Sequence, residues 1–324
     1  MLIKTFGKIA LIYFLSILFT FAYADEYPNK PIRIIVPFAP GGSVDISART
    51  IAPLLAAELG QSVYVENRVG AGGKAGASYV AKSTPDGYTL LAGSSGSLTA
   101  MEAVSKNLTY DVLADFYPIA LMNVTPMAIV IGPSARFTNF SDFVKYAKDN
   151  PGQIGVGSAG IASSNHLAIE LLQAVVGIKL LHVPYKGSGQ ALVDLLSGQI
   201  PVMVDQVTSS ISYVKDRRLT AIAMMTPNRS SAMPSVPTLK ELGYEGVDAA
   251  SFTGILAPTG ISVIVAEKLQ QAVLKVASNP AVIKRFQELG AEPKALNSLE
   301  FQKYLKIDSE RWKAVASKAN ILLD

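Results

Sequence analysis

Three loops carry groups able to hold a small anion. In PFAPGGSVD, residues 37–45, a short apolar run gives way to two glycines and a serine just before a stretch of helical spacing. Phe38, Ala39, Gly41 and Gly42 form this turn, and the glycines let backbone N–H groups approach a ligand closely. Ser43 is placed to cap the helix. Its first N–H groups and its dipole then make an anion site suited to an organic carboxylate. Asp45 favours the first turn but repels an anion, so it either caps the turn facing away or meets a ligand ammonium. SSGS, which includes Ser94 and Ser95, and GSAGIASSN at 157–165 set hydroxyls and N–H groups at the ends of two further apolar runs. Ligands of open α/β sheets bind at such carboxyl ends. Lys186, in HVPYKGSG, could meet a carboxylate, and Asp205 with Gln206 ends another run placed to reach a cleft.

Other chemistries find little support. With no cysteine there is no thiolate nucleophile, disulfide or thiolate metal site, and two histidines argue against a multi-histidine metal site. His166 lies on an apolar helical face and His182 in LLHVPY, neither beside a GxSxG nucleophile elbow. A hydrolytic enzyme is therefore the weakest of the alternatives. GAGGKAG, residues 70–76, fails the P-loop pattern at Arg68 and Ala75. Gly70, Gly72 and Ala75 fit GxGxxA, but no acidic residue closes the next strand, so a tight turn accounts better for the cluster. No cofactor is implied.

The positioning elements alternate. Apolar runs at 32–37, 62–66 and 88–92 flank helical patterns at 45–59 and 75–82, with Pro53 predicting a kink in the first. A second series follows: strands at 127–131, 154–157, 179–184, 201–205 and 219–225, and helices at 139–149, 164–176 and 189–196. A strand at 252–257 precedes three helices, 262–277, 280–289 and 298–319. Trp312, with Phe301, Tyr304, Leu305 and Val315, reads as helix packing. This order implies α/β architecture, a parallel sheet with covering helices. The 324 residues are 49% hydrophobic and 17% charged, enough for two cored lobes. Residues 1–24 read as a secretory leader: Lys4 and Lys8, an apolar run shorter than the ~20 residues that span a bilayer, and Ala22-Tyr23-Ala24 cleaved before Asp25. A periplasmic location fits best. Without the leader's two lysines the charge is near neutral, which gives no support to nucleic-acid binding.

Several segments together resemble the Bug-type periplasmic receptors of tripartite tricarboxylate transporters. They are YPNKPIRIIVPFAPGGSVD, VENRVGAGGKAGASYVAKSTPDGYTLL, GSAGIASSNHLA, HVPYKGSGQALVDLLSGQI, MPSVPTLKELG and the tail ending ERWKAV, in the family's order over nearly the whole chain after the leader. The resemblance implies a two-lobed, Venus-flytrap, type II-like fold with a ligand cleft between lobes. Lobe one is expected at 25–124 plus 250–324 and lobe two at 125–249. It implies capture of a di- or tricarboxylate, acidic amino acid or aromatic carboxylate and delivery to permease subunits in the membrane. A sensor-kinase ectodomain is the alternative partner. Carried over, the ligand loops are 38–42 and 158–164, the latter with Ser158, Ala159, Gly160, Ser163 and Ser164. Ser94, Ser95, Lys186 and Asp205 are weaker carry-overs. Ala162 stands where the family usually has glycine, a change that could narrow the pocket or shift a backbone donor.

Overall fold

The computed structural model describes residues 27–319 and 321; the predicted leader and its cleavage site lie outside them. β1 (Ile32–Val36) is buried except at Arg33, as a continuous apolar run in a parallel sheet must be. It pairs in parallel with β2 (Val63–Asn67) and β3 (Thr89–Ser94). Helix α1 (Ser43–Leu59) packs Val44, Ile51 and Leu55 against β1. Pro53 does not end α1, which runs on to a left-handed cap at Gly60. α2 (Lys74–Ala81) and α3 (Thr99–Val104) complete this part of the chain.

One strand joins the two halves. β4 runs sixteen residues, Phe116–Ile131, where the sequence predicted only its last five. Up to Pro126 it pairs antiparallel with β9 (Ala250–Pro258), and on its other edge with β10 (Glu292–Leu296). From Met127 it pairs instead with β7 (Val202–Gln206) and β8 (Thr220–Met224), again antiparallel. β5 (Gly155–Ser158) and β6 (Leu181–Pro184) extend that second sheet in parallel. The parallel pairing implied by the strand–helix order is present among β1, β2 and β3 and among β5, β6 and β7, while β4 and β9 run antiparallel to their neighbours. Proline has no N–H to donate; at Pro126 the ladder changes partner, and the next donor, Met127 N, bonds Ala249 O at 3.1 Å.

The second lobe's helices are α4 (Phe140–Asp149), α5 (Ser164–Val176), α6 (Ser188–Ser197) and α7 (Val207–Lys215). α8 (Val263–Ala277), α9 (Pro280–Glu288) and α10 (Ser298–Lys318) follow β9, with β10 between the last two. α10 also ties the lobes. Its Phe301 and Leu305 pack with Phe252 and Leu256 of β9, while Trp312 and Val315 pack with Leu167 and Leu171 of α5. Phe252 and Phe301 meet edge to face at 5.5 Å, a favoured aromatic geometry.

Beside the crossing strand lies a buried chain of hydroxyls. Ser43 Oγ, at the start of α1, donates to Thr125 Oγ1 of β4 at 3.4 Å. Thr125 Oγ1 sits 3.3 Å from Thr208 Oγ1 of α7 and 3.4 Å from Asn123 Oδ1. This threads both lobes through one side chain. Thr125→Val keeps the shape and removes the hydroxyl, so we expect a loss of about 1–2 kcal/mol in chemical denaturation. Parent-like stability would mean that Thr125 contributes only packing.

Candidate functional site

Four helix N-termini meet at one enclosed cavity between the lobes. Its walls are Phe38, Gly42, Ser43 and Val44 at the start of α1, Ala159, Ser164 and Asn165 at α5, Ser188 at α6, and Gln206 preceding α7. Its interior volume is about 10 Å³, room for about one water molecule and far below the ~300–1,000 Å³ of pockets for drug-sized ligands. None of these lining residues is charged. Each helix start contributes unpaired N–H groups and roughly half a positive charge. Among the described residues no side chain caps α1, α6 or α7, whereas Ser163 Oγ caps α5 at His166 N. The cavity is therefore positive through backbone dipoles and holds no cationic side chain.

The lobes are shut over it. Ala39 N donates to Lys186 O at 3.0 Å, a backbone bond from lobe to lobe. Gly41 faces Gly189 of α6, and Gly42 faces Ser188. Gly189 is required by this approach, because a Cβ there would be driven into the carbonyl oxygen of Pro40. Outside the cavity, a groove lined by Gly70–Gly73, Ala159–Ile161, Tyr185 and Lys186 marks the line between the lobes. The glycine cluster at 70–76 forms a short 3₁₀ turn on one bank of it. A larger open concavity on lobe one, around Lys30, Arg33 and Tyr79, is a surface feature. There Lys30 pairs with Asp86 and Arg33 approaches Glu66 at 4.0 Å.

Of the residues singled out in the sequence, Phe38, Gly42, Ser43, Ala159, Ser164 and Gln206 line the cavity. Ala39 and Gly41 hold the lobe contact beside it. Asp45 is turned away: its carboxylate accepts from Gly41 N, Arg49 Nε and Asn67 Nδ2. Ser43 is not the cap either, since that position belongs to Gly42. Ser94 and Ser97 bond each other in a capping box, and Ser95 Oγ accepts from Phe252 N at 3.4 Å; none of the three reaches the cavity. Ser158, Gly160 and Ser163 shape the 158–163 turn: Ser158 Oγ accepts from Gly160 N, and Ser163 Oγ donates to Gly160 O. Ala162 adopts φ 63°, the left-handed region that glycine enters freely. The side chain of Lys186 is exposed at the outer groove.

Asp205 lies behind the cavity wall, fully buried. Its Oδ2 accepts from Ser209 Oγ at 2.7 Å, while Oδ1 has no partner in hydrogen-bond geometry among the described residues. Burial pushes its carboxyl up to about 6, against the pull of nearby serine hydroxyls including Ser188. His166 and His182 stack face to face, 3.9 Å between centroids, beneath the 158–163 turn. His182 Nε2 lies 2.6 Å from Ser158 Oγ, and His166 Nδ1 accepts from Ala162 N. Neither ring lines the cavity. Sequence reasoning left Ser188, Asn165 and Val44 out of the site. The signal for Ser188 was available: a glycine followed by serine at a helix start in KGSG, the same cue as in PGGSVD.

Comparison with known proteins agrees with this architecture. Residues 47–321 match the tripartite tricarboxylate transporter family receptor. The periplasmic binding protein BugD superposes with a TM-score of 0.88 at 33% identity, covering 91% of this chain and 99% of that one. A Rhodopseudomonas palustris protein, MatC with bound malate, gives 0.86 at 30%, covering 89% and 99%. An R. palustris protein with adipate gives 0.87 at 30%, covering 92% and 99%.

Proposed function

Since the chain belongs to the tripartite tricarboxylate transporter receptor family, of the Bug type, we propose that it captures a small organic acid between its lobes and delivers it to the permease subunits of such a transporter. The observation that carries this reading is the convergence of four helix N-termini on a small cavity with no charged residue in its lining. A carboxylate there would meet backbone N–H groups from both lobes at once. Binding would then favour the closed form, the shape that a permease can distinguish from the open one. The malate- and adipate-bound relatives support a carboxylate as ligand.

The periplasm is the compartment of the BugD relative, and the leader at 1–24 would take the chain there, with cleavage before Asp25. The lobes divide at 25–124 plus 250–324 and 125–249, a division supported by the exchange of partners along β4. A receptor without turnover is supported by the position of both histidines, stacked beneath the turn and absent from the cavity wall.

Isothermal titration of the chain from residue 25 with a panel of mono-, di- and tricarboxylates tests the reading. At least one acid is expected to bind, with compaction visible by small-angle scattering. Ser188→Ala, which removes a buried hydroxyl from the cavity wall, is expected to weaken that acid about 10-fold. A panel in which nothing binds would sink the proposal.

A further inference from the structure

Near the end of β7, one residue behind the cavity wall, stands a carboxyl for which capture of an acid has so far given no role. Asp205 is 0% exposed. Each element packed against it presents uncharged groups: Ser188 from α6, Ser209 and Ser210 from α7, Ala128 opposite it on β4, and Asn165 of α5, which bonds Val204 O. Among the described residues no cation pairs with the carboxyl, and only hydroxyls and the backbone N–H of Gln206 support its charge. A buried carboxylate without a counter-ion is costly, and burial has already raised this one to about 6. What keeps it ionised at neutral pH is its place in the fold. Asp205 immediately precedes Gln206, the N-cap residue of α7, and Ser188 opens α6. The positive ends of both helices therefore serve its charge. The same two ends face the cleft, because Ser188 and Gln206 are part of its wall.

An organic anion held at those ends and the carboxylate of Asp205 would draw on the same two dipoles, with no cation between them. Two carboxylates that share a site do not both stay ionised, and the pKa of one of them rises. The buried group gives way, since an ordinary carboxylic acid holds its proton less tightly than a carboxyl already near 6. We propose that capture is proton-linked: when an organic anion takes the N-termini of α6 and α7, Asp205 takes up one proton from solvent. This rests on the carboxylate reading above and adds its regulation by pH. Oδ1, the oxygen without a partner among the described residues, is free to carry the proton, while Oδ2 still accepts from Ser209 Oγ. Because the complex holds one proton more than the free receptor, capture tightens as pH falls and loosens as pH rises.

Calorimetry tests this directly. The chain from residue 25 is titrated with malate, adipate and simple monocarboxylates between about pH 6.5 and 8.5. These acids are fully ionised there, and His166 and His182, held down to about 4 and about 3, stay neutral. Near pH 7 each titration is repeated in HEPES and in Tris, whose heats of ionisation differ, so the difference in measured heat counts protons. For an acid that binds, uptake of about 0.5–1 proton is expected near pH 7, with a dissociation constant that rises about 3- to 10-fold per pH unit. Asp205→Asn is expected to take up no proton and to bind with one affinity over the whole range. Asp205→Ser serves the same purpose should the asparagine variant fail to fold. Binding by the parent without proton uptake overturns the inference and leaves the carboxylate reading standing. So does a pH dependence that both variants retain. If no acid binds at any pH, both readings fall together.

Discussion

Gly189→Ala is expected to weaken capture of the cleft ligand by about 100-fold, roughly 2.7 kcal/mol, while the unliganded protein melts no lower than its parent. Gly189 is the second residue of α6. Its backbone is not in the left-handed region, so alanine suits the helix and favours it by about 0.5–1 kcal/mol over glycine. What alanine meets is the other lobe. Its Cβ would be driven into Pro40 O and come to 3.2 Å from Pro40 C. Both are backbone atoms, unable to swing aside as a side chain tip would. The closed state must part, and the bond from Ala39 N to Lys186 O parts with it. A ligand would then touch the N-termini of one lobe at a time. Because apparent affinity scales with the population of the competent state, the penalty on closure appears directly in the dissociation constant. Calorimetry with the best-bound acid, beside a melt without ligand, separates the two effects. Unchanged affinity would mean that the protein does not close with α6 against Pro40. A lowered melt of the free protein would mean that the substitution harms the lobe itself.

The parts of the site that were legible in the sequence are those written as local motifs. PFAPGGSVD announced a strand, a glycine turn and a helix start, and the structure puts Phe38 and Gly42 on the cavity wall. The serine loop at 157–165 was legible for the same reason, since Ser164 begins α5. Asp45 misled by its position. It lies in the first turn of α1, but Arg49 one turn on and Asn67 from β2 claim its carboxylate, and neither contact is readable from a single loop. Gln206 was visible as the end of a run, yet its meaning depends on α7. VTSSISYVK is rich in β-branched and serine residues of modest helix propensity, so that helix was not foreseen. Its tertiary packing, with Val207 and Ile211 in the lobe-two core, overrides the propensity.

The fold was legible in the same uneven way. Continuous apolar strands such as β1 were found where they are. The first eleven residues of β4 were hidden by Pro118 and Pro126, which argue against a central strand. The ladder accommodates them at places where it breaks: the register shifts beside Pro118, and Pro126 stands where the strand leaves β9 for β7. β10, EPKAL, is short, partly exposed and contains a proline. Pattern reading has nothing to seize there, and only pairing with β4 makes it a strand.

The stacked histidines predict that stability falls by about 2 kcal/mol between pH 6.5 and 4, against the action of Asp205. An unfolded histidine protonates near 6.5. In the folded chain, burial holds His166 down to about 4, and burial with the charge of its neighbour holds His182 down to about 3. Across this window the unfolded chain therefore binds more protons, and acid favours unfolding. For His166 the full shift is worth ~3 kcal/mol at most; half-buried His182 adds less than its shift implies, because solvent screens it. Glu170 Oε1, 3.7 Å from His166 Nε2, offsets part of the cost once that ring is charged. Asp205 works in the opposite sense. Its carboxyl is raised from 3.8 to about 6, so below pH 6 the folded chain takes up the extra proton and gains stability, by ~3 kcal/mol at most when pH reaches 4. Two histidines outweigh one aspartate. His182→Gln keeps a partner for Ser158 and removes one titration, so its stability profile should be flatter than the parent's. Asp205→Asn should raise stability at pH 7 and make the decline toward pH 4 steeper. Urea midpoints at half-unit steps of pH check both signs. Three parallel profiles would show that neither the pair nor the buried carboxyl governs acid stability. A flatter Asp205→Asn profile would reverse the sign assigned to that carboxyl.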